Sequence, residues 1–273
     1  MDATEPICLS SGIAHLLVTR SPLHAWTAHR RLNPNYVREE KDAFDLGNVV
    51  HELLLGQESS VVVGEFDEYR TNTAKAWRDE VRAAGKIPLR PKDAPRVHEM
   101  HSRVIEQLAT FDVDPPLLAK PGLAEETIVW RDGDADCKAR LDWIHAGDVY
   151  AIDDVKTTSR SASPEAYARR LYEFGGDLQA AFYVRAVQER FALLEAPAFR
   201  WIVCETEPPF CVSVIQPGAD VLALGNAKVE LALARWTHAM TTNEWPGYPA
   251  RVHTAELPPW EESRFLERME TIQ

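Results

Sequence analysis

Ile152-Asp153-Asp154-Val155-Lys156 is the stretch that decides the fold. It ends a β-rich run, Val149 to Val155, and stands twelve residues after Asp142, near the end of the preceding run, Cys137 to Ile144. Alternate side chains of a strand share a face, so Asp154 and Lys156 point the same way and Val155 points into the packing. A hairpin between the two runs brings Asp142 beside Asp154. Two converging carboxylates are costly unless a cation neutralises them, and hard oxygen ligands suit Mg²⁺ or Mn²⁺. The lysine then aims a cation at a substrate phosphate or an attacking water. A D-x-K alone is short and common; its neighbours give it meaning.

Working outward, Glu126 to Trp130 is another β-rich run, and Asp132-Gly133-Asp134 and Ala146-Gly147-Asp148 are turn-formers that make the three runs a meander. The cluster Asp132 to Asp136 lacks the spacing and terminal glutamate of a calcium loop, so it reads as a hairpin turn. Upstream the periodicity is helical. Ser10 and Ser11 cap a helix through Leu17, Ser21-Pro22 starts a second, Phe44 to Leu55 is a third ending at Gly56, and two more run from Thr73 to Gly85 and from Ala94 to Ala109. Downstream, Ser163-Pro164-Glu165 opens a helix to Phe174, and Asp177 caps another to Leu194. Phe199 to Glu205 and Phe210 to Ile215 are strands joined across Pro208-Pro209, before a long helix from Ala219 to Thr241 and a Pro-rich tail. With no linker or repeat in sight, one continuous domain over 1–273 is expected: a mainly helical part to 120, a sheet core over 121–216, and a C-terminal helix and tail over 217–273.

Several other residues bear on chemistry. His51 lies in an apolar helix with Gly47 one turn earlier on the same face, where a backbone or ligand can approach. Gln179 and Tyr183 are four apart on one helical face after the strands. Between Arg70 and Lys92 there are seven basic residues and two acids, a local balance of +5. Lys75, Arg78 and Arg82 share a helical face there, with Trp77 nearby, and such a face can contact phosphates. Arg140, two residues before Asp142, reads as structural.

The chain has 273 residues, of which 45% are hydrophobic and 26% charged, the composition of a soluble globular enzyme. Thirty Lys and Arg against forty-two Asp and Glu leave a net charge of -12, which speaks against a protein that coats nucleic acid non-specifically but allows a local basic groove. Cys8, Cys137, Cys204 and Cys211 lie far apart without a CxxC pair, as in a reducing compartment. Neither a membrane span nor a signal peptide is legible, so a cytoplasmic protein is expected.

The ordered set His51, Asp142, Asp154-Val155-Lys156 and Gln179-Ala180-Ala181-Phe182-Tyr183 resembles the PD-(D/E)xK nuclease superfamily in its RecB-like form. More narrowly it is similar to phage and prophage exonuclease VIII (RecE-type) exodeoxyribonucleases. The likeness extends to Ser21-Pro22, Gly47 to Gly56, Cys137 to Asp142, Asp154 to Thr158, Trp245 to Tyr248 and Leu257 to Trp260. Leu141 replaces the proline of the superfamily's name, as often happens in RecB-like members. The cysteine cluster of the iron–sulfur relatives is missing, so no Fe–S cluster is expected.

The resemblance implies an α/β fold with an α-βββ-α-β mixed sheet flanked by helices, a restriction-endonuclease-like core, and a helical N-terminal addition. It implies that Asp142, Asp154, the Val155 carbonyl and His51 hold one or two Mg²⁺ ions, with Mn²⁺ able to substitute, and that Lys156 orients the attacking water. Glu126, ahead of Glu125, is the candidate further outer ligand, and Gln179 and Tyr183 position the strand being cut. The implied activity is 5′-to-3′ digestion of linear double-stranded DNA in recombination, by a ring-shaped homo-oligomer threaded by DNA, beside a single-strand annealing recombinase. In such a ring only the channel need be basic. Two alternatives stand: a nuclease of the same fold acting on flaps or single-stranded ends, and a non-catalytic DNA-binding or assembly module.

Overall fold

The computed structural model describes residues 6–37, 46–147 and 149–270. Its centre is a five-stranded mixed sheet in which β3 (Leu123–Asp132), β4 (Ala135–His145), β5 (Ala151–Thr158), β6 (Ala198–Glu205) and β7 (Val212–Ile215) lie in sequence order. Neighbours are antiparallel except β5 and β6, which run parallel because a helical crossover joins them. The expected meander is present, and its first turn is tight: Asp132 pairs Ala135 across Gly133, whose φ is +58°. β3 and β4 are longer than their β-rich runs, since the pattern marks only the positions that each face buries, whereas β5 begins two residues later than its run and β7 is two residues shorter than its run.

Helices cover both faces. On one side α1 (Ser11–Thr19), α2 (Pro22–Ala28), α7 (Gly176–Phe191) and α8 (Ala219–Thr242) pack with Ile128, Trp130, Leu141, Ile152 and Trp201. On the other, α3 (Leu46–Leu54) and α5 (Ala94–Leu108) enclose a second cluster with Trp143, Val155 and Ile202. Ser10 caps α1 by accepting the Ile13 N–H, as its position before the apolar run implies. Residues 44 and 45, expected in α3, lie outside the described residues. α4 (Asn72–Ala83) ends before Gly85, whose φ is +73°. α6 (Pro164–Arg170) and α7 form the crossover.

Three differences from the sequence reading have physical causes. Asp177 does not cap α7: Gly175, left-handed at φ +73°, precedes the helix, and Asp177 is buried in its first turn against Lys228 of α8, Oδ2 to Nζ 2.5 Å. Short parallel strands β1 (Val61–Val63) and β2 (Ile87–Leu89) flank α4; three residues each carry too little pattern to be read. The Pro-rich tail ends in a helix, α9 (Pro259–Glu270). Trp245 packs edge-on against Trp236 at 5.7 Å and holds the start of the tail to α8, whereas Trp260 is exposed. Among the described residues no helix is long and apolar enough to cross a membrane.

Candidate active site

Asp142 and Asp154 meet where β4 and β5 stop pairing. Their ladder ends at Trp143 opposite Asp153. One step beyond, the Asp142 carboxylate accepts the Val155 N–H at 2.8 Å, where a strand would have offered a backbone carbonyl. The same Oδ2 lies 3.2 Å from His51 Nε2 on α3. Asp154 is fully buried; Lys156 forms an ion pair with its Oδ2, and Gln179 Nε2 on α7 donates to its Oδ1 at 3.4 Å. The sheet thus holds both carboxylates and the lysine, while one helix on each face delivers His51 and Gln179. The Val155 side chain lies in the second core cluster.

The electrostatics of the two acids differ. Burial pushes the Asp154 carboxyl up to about 6, with Lys156 working against that shift and Asp142 adding to it. Asp142 is held below the usual carboxylate range although burial opposes this, because His51 hydrogen-bonds it and Lys156 faces it. The Lys156 ammonium is held above its ordinary range despite desolvation, by Asp154 and then Asp142. A lysine so placed is a fixed positive charge, not a base.

Four features add to the sequence reading. Ligand atoms of His51, Glu52 and Glu125 lie within 4.8 Å of one another. Glu125 has φ +54° and sits between the pairs Ala124–Trp143 and Glu126–Leu141, across from Asp142, with its carboxylate on Arg140. The outer-ligand expectation therefore shifts from Glu126 to Glu125. By strand alternation Glu126 shares a face with Ile128 and Trp130, which point into the core beside α7. The Tyr167 hydroxyl of α6 is buried without a hydrogen-bond partner among the described residues, and Lys156 and Asp154 are the foremost charges acting on it. Finally, Asp153, one residue before Asp154, is buried with Arg200 (2.5 Å), His145 (2.7 Å) and the Leu118 N–H (2.9 Å). Glu52 carries a sequence signal as an acid directly after the candidate histidine, and Glu125 stands second to Glu126 in the sequence reading.

The structure also places the other residues expected to contact substrate. Tyr183 is buried beside the Gln179 expected with it, and burial, then Asp154, pushes its hydroxyl up while a hydrogen bond with Gln179 acts the other way. The segment around Lys75, Arg78 and Arg82 is not an open basic face. Lys75 is exposed, but Arg78 is paired with Asp79 at 2.8 Å and lies over Tyr69, and Arg82 is half-buried. Glu68 pairs with Arg70 at 2.6 Å and Lys92 at 3.7 Å, and Asp93 takes Arg90. Glu68 and Asp93, standing just outside the segment, lower its local surplus from +5 to +3.

The donor set suits a hard divalent cation. Asp154 Oδ2 is buried with the Lys156 ammonium as its partner, and Asp142 and His51 converge beside it. This constellation agrees with a comparison of the sequence with protein families: residues 18–256 match the model described as "PDDEXK-like domain of unknown function (DUF3799)". The chain belongs to that family. Nucleases of the PDDEXK group generally use divalent metals, and the site here has the acids to bind one. No curated protein matches the chain. Among solved structures, one described as "Putative exonuclease" from Eubacterium rectale superposes with a TM-score of 0.59 at 13% identity, covering 94% of this chain and 93% of its own. That likeness speaks for the fold alone. The structure of SSO0001, also 13% identical, covers 70% of this chain and 85% of its own with a TM-score of 0.30, too low to carry an argument.

Proposed function

We propose that the chain is a cytoplasmic, Mg²⁺-dependent exodeoxyribonuclease that hydrolyses phosphodiester bonds of linear double-stranded DNA from 5′ to 3′, in homologous recombination of the phage type. The observation that carries this reading is the meeting of Asp142, Asp154, Lys156, His51 and Gln179 at one point where a sheet opens between two helices. Family membership supports a nuclease, and the solved neighbour's description as an exonuclease supports the exo mode.

Asp142, Asp154, the Val155 carbonyl and His51 would hold the cation, with Glu52 and Glu125 beside His51 as outer carboxylates. When bound, a divalent ion lowers the pKa of the attacking water and neutralises charge on the scissile phosphate. The protein's own groups do the rest. Lys156, held charged by both acids, orients that water and offsets negative charge developing on phosphate oxygens. Gln179 fixes the Asp154 carboxylate and borders the path of the strand being cut. The Asp153–Arg200–His145 network clamps the residue preceding Asp154, so the carboxylate enters the reaction preorganised.

A ring-shaped homo-oligomer around the duplex, acting with a single-strand annealing recombinase, fits a net charge of -12, since only the channel needs to attract phosphate. The test is digestion of a linear duplex in Mg²⁺ beside a covalently closed circle. Loss of the linear form with the circle intact supports an exonuclease; cutting of the circle refutes it.

A further inference from the structure

Between α6 and α7 the chain makes a tight five-residue loop, Leu171 to Gly175, that carries two large exposed rings, Tyr172 at 44% and Phe174 at 45%. We infer that Tyr172 and Phe174 are a stacking platform for unpaired nucleobases of the strand whose phosphate enters the site, an inference that rests on the nuclease reading. The loop is held rigidly. Gly176 N–H donates to the Leu171 carbonyl at 2.9 Å and Glu173 N–H to the Arg170 carbonyl at 3.0 Å. Gly175 is left-handed, and a Cβ there would meet the His15 ring at 2.2 Å.

Each ring is anchored on one side and open on the other. Lys228 Nζ stands 5.4 Å from the centre of the Tyr172 ring while it pairs with the buried Asp177. Phe174 packs on Tyr167 at 5.6 Å. Aromatic surface pinned in water without a partner is costly, and a flat π-system is the ligand that covers it with sequence tolerance. The position fits. Gln179, whose N–H donates to the Gly175 carbonyl at 2.9 Å, also reaches Asp154 with its side chain, so one helical turn and one glutamine side chain link the loop to the catalytic carboxylate. Tyr167, beneath Phe174, feels Lys156 and Asp154. Charge complementarity favours a nucleotide over an apolar protein partner: the last turn of α6 presents Arg169 and Arg170 directly before the loop, and Lys228 lies on its other side. Preorganised rings lose little entropy when a base stacks.

The probe is a single-stranded deoxyoligonucleotide with 2-aminopurine at its end, bound in Mg²⁺ to the full chain carrying Lys156→Ala to prevent hydrolysis. Fluorescence quenching is expected, and Tyr172→Ala with Phe174→Ala should abolish it and weaken binding by about tenfold or more, the size of one to two stacking contacts. Replacing both rings by Trp should restore quenching, which separates stacking from a misfolded loop. Unchanged quenching in the double alanine variant overturns the inference, as does a change in sedimentation of the free protein, which would make the rings a contact between copies. The two readings fail separately. If the native chain digests DNA while the alanine variant binds and quenches normally, the platform is wrong and the nuclease stands. If quenching depends on the rings but the native chain cuts nothing, the nuclease reading fails and the base site stands.

Discussion

Asp154 is an acid placed where its charge is least welcome. Its carboxyl titrates at about 6 when folded, against about 3.9 in an unfolded chain. The folded state therefore holds the proton more tightly, and the stability this gives is fully present below about pH 4 and lost as pH rises through 6. Above pH 6, ionised Asp154 costs the metal-free protein about 3 kcal/mol. Asp154→Asn should accordingly stabilise the protein in chelator at pH 7.5 by about 1–3 kcal/mol, with the gain disappearing near pH 4, as read by urea melts at both pH values. An equal effect at both would mean that the carboxyl is not strained. Lys156→Ala should cut hydrolysis by about a hundredfold or more, the scale of losing one preorganised charge partner, with the fold retained by circular dichroism. Arg200→Met tests the clamp: it leaves Asp153 buried with its strongest partner gone, and a loss of about 3–5 kcal/mol is expected in the same melts.

At the level of elements, the site depends on how closely α7 lies against α8. A Cβ on Gly225 of α8 would come within 2.2 Å of the Asp177 carbonyl, which is backbone and cannot move aside. Gly225→Ala should therefore destabilise by about 1–3 kcal/mol and, by displacing the helix that carries Gln179, slow hydrolysis, while Gly218→Ala, with open space around it, should leave both alone. These elements also show what sequence can and cannot reveal. The meander, its turns, α1 and the pairing of Asp154 with Lys156 were readable because local periodicity and turn chemistry set them. Glu125 was readable only as second to Glu126, because its place across from Asp142 depends on one positive φ that no residue type announces. Arg200 and Asp153 lie in strands 47 residues apart, and only the sheet's crossover makes them partners. α9 carries its own local signal, Pro259 at its start with Glu261 and Glu262 in the first turn and Arg268 in the last.

For the whole molecule, a cation is both a reagent and a structural partner. Anything that binds only the folded state stabilises it, so Mg²⁺ at a hundred times its Kd should add about 2.7 kcal/mol to the native chain and nothing to a variant with Asp142→Asn and Asp154→Asn. Thermal melts across a Mg²⁺ titration read this without any substrate, and an equal shift in both proteins would place the ion elsewhere. The central claim is tested most directly by Mg²⁺-dependent digestion of a linear duplex labelled separately at its 5′ and 3′ ends, run beside a closed circle and the Lys156→Ala variant. Early release of 5′ label as mononucleotide, with the circle untouched and the variant inert, is the expected result. No cleavage of the linear duplex in either Mg²⁺ or Mn²⁺, or equal cleavage by the variant, would contradict it.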